Sequence, residues 1–307
     1  MKRRCFLQAG AGFAAAALSG GLPQRVWAHN NLQLGNVQID MLSDGYLVLP
    51  PEFSLGDVPP EELPALMARH NLSLDGLEPP CNLTLLRDGP RKVLFDIGAG
   101  PDFMNTVGQM PDALDTLGLA PEQITHLVIT HAHPDHLWGL LDDFDEPFLP
   151  NAQVLMGRRE WDYWMDPDTL ETIGVERQSF VVGAQRRLVE IADKVELFDD
   201  GAEILPGLRA VETPGHTPGH MAFAVEAGSV GLMILGDAIG NDHVALERPG
   251  LPTSSDQDPA TGAATRLALL DRVVAEGMPV AGFHFRGGGL GRIERLSEGS
   301  YKFHEGA

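Results

Sequence analysis

Apolar residues fall in short blocks along this chain, and their period changes from block to block. Val37 to Ser43 alternates as a strand does when one face is buried. Leu83–Arg87 and Lys92–Asp96 are short strands joined by Asp88-Gly89-Pro90, a hairpin signal. His126–Thr130 and Gln153–Met156 read as strands too, as do Leu208–Glu212, Met221–Glu226, Val230–Leu235 and Val280–Phe283. Between them the period is helical. It predicts helices over Glu61–Asn71, Phe103–Leu117, Gly157–Met165 and Leu170–Leu188. A further helix over Thr261–Glu276 has Leu267, Leu270, Val273 and Val274 on one face. Tyr46–Pro60 is apolar and rich in proline, so it reads as an ordered loop, and GRIERLSEGSYKF closes as a hairpin.

Strands in two groups, each followed by helices, predict an α/β fold of four layers, αββα, with two sheets inside and helices outside. No repeat and no linker-like break interrupts the chain after residue 40. Residues 29–307 are therefore expected to form a single domain.

The ends of the chain change this picture. Lys2-Arg3-Arg4 opens a mildly apolar, Ala- and Gly-rich run from Ala9 to Leu22. Val26-Trp27-Ala28 fits a small-residue cleavage site. Residues 1–28 resemble a twin-arginine-type signal peptide, which implies export to the periplasm or beyond, with cleavage near Ala28. The run is too short and too rich in glycine for a stable membrane anchor. Loss of this segment removes Cys5 and leaves Cys81 alone, so no disulfide within the chain is expected. The formal charge of −21 over 307 residues argues against nucleic acid, whose phosphates need a basic surface.

Candidate chemistry concentrates at strand ends. THAHPDHLWG, residues 130–139, carries three of the chain's 11 histidines and an aspartate just past the His126–Thr130 strand. His216 lies in ETPGHTPGH, Asp237 follows the run LMILG, and His284 follows VAGF. Imidazole and carboxylate are ligands for a borderline divalent metal, and strand ends are rigid supports for them. Together these residues could supply two ions, with one carboxylate between. Such a pair makes a nucleophile from water without a serine or cysteine. His220, four residues after His216, is expected to support a ligand rather than to bind. The chain has no G-x-S-x-G motif.

His131-x-His133-x-Asp135-His136 followed in order by His216, Asp237 and His284 resembles the metallo-β-lactamase superfamily. The resemblance implies that His131, His133 and His216 bind one ion. Asp135, His136 and His284 would bind the other, and Asp237 would bridge. It implies two divalent ions, most readily Zn²⁺, with Mn, Co or Fe as alternatives. A bridging hydroxide would be the nucleophile, and Asp135 would be a proton carrier.

Within the superfamily, ITHAHPDHLWGL, TPGHTPGH, ILGD and the C-terminal FHFRGGGLGRIERLSEGSYKF resemble methyl parathion hydrolase and related exported hydrolases. The N-acyl homoserine lactonases share the ligand set. Many of them carry a tyrosine three residues after the bridging aspartate, where this chain has Gly240. The expected activity is cleavage of a small neutral ester, lactone or phosphotriester. The alternative is a mononuclear iron oxidoreductase resembling the sulfur dioxygenases, with His131, His216 and Asp237 as its triad. Trp138, Phe144, Trp161 and Trp164 are candidate walls of the substrate pocket. Tyr46–Pro60 is a candidate lid and could also contact a second copy in a homodimer.

Overall fold

The computed structural model describes residues 30–55, 58–73, 75–228, 230–297 and 299–306. The signal peptide expected over residues 1–28 and Cys5 lie outside the described residues. Among the described residues, two seven-stranded sheets pack face to face. The first holds β1 (Asn31–Leu34), β2 (Val37–Tyr46), β3 (Pro80–Asp88), β4 (Arg91–Phe95), β5 (His126–Ile129), β6 (Gln153–Gly157) and β7 (Val195–Phe198), side by side in that order. The second holds β8 (Glu203–Leu205), β9 (Leu208–Glu212), β10 (Met221–Ala227), β11 (Val230–Ile234), β12 (Pro279–Ala281), β13 (Leu290–Ser297) and β14 (Ser300–Glu305). Both sheets are mixed. For example, β3 and β4 pair antiparallel, while β4, β5 and β6 run parallel.

The helices are α1 (Pro51–Leu55), α2 (Leu63–Arg69), α3 (Met110–Thr116), α4 (Pro134–Leu137), α5 (Arg158–Met165), α6 (Thr169–Thr172), α7 (Gln178–Glu190), α8 (Val244–Glu247) and α9 (Pro259–Glu276). None is long and apolar enough to cross a membrane.

Central strands read as unbroken apolar runs because both of their faces are buried. Val93, Phe95 and Val128 point between the sheets and meet Phe223, Val225 and Ile234. The Phe95 and Phe223 rings lie 5.4 Å apart. The alternate residues Leu94, Leu127 and Ile129 face outward to an outer core with Leu137, Ala184 and Leu188. On the far side Ala222, Met233 and Val280 pack under Leu269, Leu270 and Val273 of α9. The four layers αββα follow from this alternation.

Several expected elements are redrawn. The helix expected over Phe103–Leu117 is confined to α3, because Gly108 adopts a positive φ of 81°. The helix expected over Leu170–Leu188 is divided into α6, a short 3₁₀ turn and α7, with Gly174 between. The Tyr46–Pro60 loop contains α1. It also reaches over one edge of the sandwich, where Leu49 pairs with Leu77. The buried face of α9 includes Arg266, whose charge is matched by Asp256.

Candidate metal centre

Each candidate ligand leaves a strand at the same edge of the sandwich. β5 delivers Thr130–His136, β9 leads to His216, β11 to Asp237 and β12 to His284. Pro134 opens α4, whose single turn puts Asp135 and His136 beside one another. All seven candidate residues are buried.

Their donor atoms meet. Donors of His131, His133 and His216 lie within 4.8 Å of one another, and so do those of His131, His136 and Asp237. His133 Nδ1 sits 3.1 Å from His131 Nε2 and 2.9 Å from His216 Nε2. Asp135 Oδ2 is 3.5 Å from His136 Nε2 and 3.2 Å from His284 Nε2. Asp237 reaches both groups: its Oδ2 lies 3.3 Å from His216 Nε2 and 3.3 Å from His284 Nε2, and its Oδ1 lies 3.4 Å from His136 Nε2.

The outward nitrogens explain why the inward ones converge. His131 Nδ1 lies 2.9 Å from Thr130 Oγ1, which itself donates to Asp96 Oδ2 at 2.8 Å. His136 Nδ1 donates to Asp96 Oδ2 at 2.8 Å, and His284 Nδ1 donates to the Pro80 carbonyl at 2.8 Å. His216 Nδ1 faces Asp256 Oδ1 at 3.2 Å, and Arg266 donates to the other Asp256 oxygen at 2.7 Å. The Gln257 carboxamide lies 3.4 Å from His133 Nε2. Because the Thr130 hydroxyl proton is committed to Asp96, four of these five histidines hand a proton outward, so in their neutral form the inward nitrogen carries the lone pair that a cation needs.

A divalent cation fits this donor set. Asp135 Oδ2, His136 Nε2 and Asp237 Oδ1 are buried without a partner in hydrogen-bond geometry. Orphaned atoms of this kind cost about 1–3 kcal/mol each unless something satisfies them. Electrostatics agree. Burial and the neighbouring imidazoles hold His131 and His133 well below the ordinary histidine range, hence neutral. Burial also works against charge on His136 and His284, but Asp237 and Asp135 override it and carry both well above that range. In return these imidazoles hold Asp135 and Asp237 below the usual carboxylate range despite burial. In the metal-free chain, protons on His136 and His284 supply the positive charge that a cation would bring.

His220 does not face the cluster as a ligand. Its Nε2 accepts the Asp237 N–H at 2.9 Å, and its Nδ1 meets Thr213 Oγ1 at 2.8 Å. Gly236, at φ 51°, lets it approach, since a Cβ there would lie 2.6 Å from His220 Nε2.

Above the cluster is a cleft of about 350 Å³. Leu47, Leu49, Phe53, Leu77, Phe103, Met104 and Phe180 give it an apolar lining. The four aromatics expected to line it do not. Trp138 turns back onto Phe103, with ring centroids 5.5 Å apart, and lies under the Arg187 guanidinium. Phe144 sits in a tight turn closed by Asp142, 84% exposed, beside a different hollow. Trp161 packs on the outer core, and Trp164 is fully buried with its indole N–H bonded to Glu160. Their helical spacing faces the sheet rather than the cleft. Gly240 and His243 do line it.

Asp96, Asp256, Gln257 and Glu160 were not singled out from the sequence. Asp96 had a usable signal, since it follows β4 as the ligands follow their strands. It holds a left-handed φ of 60°, unusual for a residue other than glycine. The loop residues Asp256 and Gln257 had no such signal.

Residues 77–275 match the sequence model of the Metallo-beta-lactamase superfamily. The chain is 35% identical over 115 residues to the uncharacterized protein YobT of Bacillus subtilis, a match covering 38% of this chain and 46% of that protein. It is 31% identical over 115 residues to the N-acyl homoserine lactonase AttM of Azorhizobium caulinodans, covering 36% of this chain and 40% of AttM. These matches thus span under half of either relative. Among solved structures, the hydrolase AbOPH of the beta lactamase superfamily superposes with a TM-score of 0.85 at 25% identity, over 92% of this chain and 100% of AbOPH. The dizinc quorum-quenching lactonase AidC superposes with a TM-score of 0.84 at 21% identity, over 91% of this chain and 97% of AidC, and shows the shared fold.

Proposed function

The chain belongs to the metallo-β-lactamase superfamily, and on that premise we propose that it is a two-ion hydrolase of small neutral esters, lactones or phosphotriesters, exported after cleavage near Ala28. One observation carries the reading: two donor sets, His131/His133/His216 and Asp135/His136/His284, meet on the single carboxylate Asp237. The second set argues against a mononuclear iron centre built on His131, His216 and Asp237 alone. Zinc is the first expectation, although His/Asp ligation accepts Mn, Co or Fe as well.

Two divalent ions held by these sets would lower the pKa of water toward about 7 and polarise the bond under attack. The chain's own residues do the rest. Leu47, Leu49, Phe53, Leu77, Phe103 and Phe180 shed water from the cleft and receive an apolar acyl or aryl group. The arginines that line the cleft are already paired. Arg286 faces Asp242 at 2.9 Å, Arg266 faces Asp256 at 2.7 Å, Arg248 faces Glu62 at 2.7 Å and Arg177 faces Glu176 at 3.1 Å. A charged substrate therefore finds no spare guanidinium among them, which favours a neutral one.

Asp135 also lines the cleft, where its carboxylate would carry the proton of the attacking water to the leaving group. Among the described residues no tyrosine lines the cleft to share that task. His243 contributes a neutral imidazole, pushed down to about 3 by burial. Its Nδ1 accepts the Val244 N–H, which leaves the proton on Nε2. The relation to the lactonase AttM brings lactones forward as the first substrates to try.

The test is a side-by-side measurement of initial rates on an acyl homoserine lactone, a neutral aryl ester and a neutral aryl phosphotriester, with two equivalents of zinc. Saturable turnover of one of them supports the reading and names the bond. Background rates on all three, with one iron per chain, would replace it with the iron oxidoreductase.

A further inference from the structure

His133 Nδ1 and His216 Nε2 lie 2.9 Å apart on loops distant in sequence. A cation bound by this set would occupy the lone pairs of both nitrogens, so no hydrogen bond between them can hold the two loops together in the loaded centre. Another group must.

We propose that Glu160 is that group: a positioning residue that clasps the His131/His133 loop to the His216 loop and sets the donor geometry for one of the two ions. Its carboxylate is fully buried, in the first turn of α5 just beyond β6. Oε1 accepts the Ala132 N–H at 3.0 Å and the Trp164 indole N–H at 2.6 Å. Oε2 accepts the Thr217 hydroxyl at 2.7 Å and the Gly219 N–H at 3.0 Å. Ala132 stands between His131 and His133, and Thr217 follows His216. One carboxylate thus fixes the backbone beside all three donors of that set. Trp164 extends the clasp, since its ring lies edge-on to His133 at 5.8 Å. Gly219 is pressed so close that a Cβ would lie 2.2 Å from the Glu160 amide nitrogen.

Three of the four donors can only donate, so the arrangement requires a carboxylate with all its acceptor sites free. None of the four is a cation, and the buried negative charge therefore favours a cation among the adjacent histidines. None of the bonds reaches Asp135, His136 or His284. Glu160 is accordingly specific for half of the centre, a role that rests on the metal-hydrolase reading and goes beyond its ligands.

The experiment is a Co²⁺ titration of the full chain, followed by visible absorption and by bound metal after dialysis. Wild type, Glu160→Gln, Thr217→Val and His216→Ala are compared. The wild-type curve is read first: absence of two binding steps counts against the two-ion reading itself. The step that His216→Ala abolishes identifies the first set. Glu160→Gln is expected to weaken that step by about 10–100-fold and to spare the other. Thr217→Val, which removes one of the four bonds, shifts the same step less and decides the matter if the glutamine variant does not fold. Equal weakening of both steps, or no change in either, would overturn the assignment, because a merely structural role has no reason to distinguish the ions.

Discussion

The Asp96 carboxylate meets His136 Nδ1 at 2.8 Å, and the same carboxylate accepts the Thr130 N–H at 2.7 Å and the Thr130 hydroxyl at 2.8 Å. Through that hydroxyl it also orients His131. One side chain therefore serves a histidine from each donor set. Asp96→Asn keeps the shape and tolerates the left-handed backbone, but it cannot accept all three bonds. It should lower metal affinity about 10–100-fold at both steps of a metal titration, unlike Glu160→Gln. Unchanged affinity at both steps would show that Asp96 only braces the strand end.

Metal uptake should release protons. His136 and His284 are carried well above their ordinary range by Asp237 and Asp135, against the opposing effect of burial. A cation takes over that role, so both imidazoles must give up a proton to bind it. About two protons per chain should appear at pH 7 when the metal-free protein is loaded. An indicator dye in weak buffer reads this directly, and loading without release would mean that these histidines do not bind.

Asp44 predicts a distinct dependence on pH. Burial pushes its carboxyl from 3.8 up to about 6, although the backbone N–H groups of Ala99, Gly108 and Met110 oppose the shift. The folded chain then binds this proton more tightly than the unfolded chain between those values. Asp44's contribution to stability is present at low pH and lost as pH rises through about 6. In metal-free protein, the stability of wild type relative to Asp44→Asn should fall by about 2 kcal/mol between about pH 4.5 and pH 7. Urea unfolding at the two pH values measures it, and a constant difference would contradict the shift.

The walls of the cleft make a contrast with the tryptophans. Phe180 lines the cleft with its ring 5.6 Å from His133, whereas Trp161 packs on the outer core. Phe180→Ala should raise KM roughly 10-fold for substrates with a long apolar group and change kcat little. Trp161→Ala should leave KM alone. Steady-state kinetics on a short and a long substrate separate the two, and the reverse pattern would restore Trp161 to the pocket.

The metal donors were legible because each stands in the segment that follows a strand, and β5, β11 and β12 announce themselves as apolar runs. Asp96 obeys the same rule and could have been found by it. Glu160 could not: it looks like one more acidic residue in a charged helix start, and only the approach of two distant loops reveals its four partners. The cleft was half legible. The Tyr46–Pro60 segment does supply Leu47, Leu49 and Phe53, as its apolar character suggested. Trp138, Trp161 and Trp164 misled because an aromatic residue near a site in sequence packs inward as readily as toward a ligand. The ends of helices were misjudged where Gly108 and Gly174 interrupt an otherwise helical period.

The most direct test of the account is to measure bound metal and turnover on the same samples of wild type and Asp237→Ala. Asp237 touches donors of both sets, so the account predicts two ions per active wild-type chain and the joint loss of metal and turnover in the variant. An Asp237→Ala protein with full metal and normal turnover would contradict it.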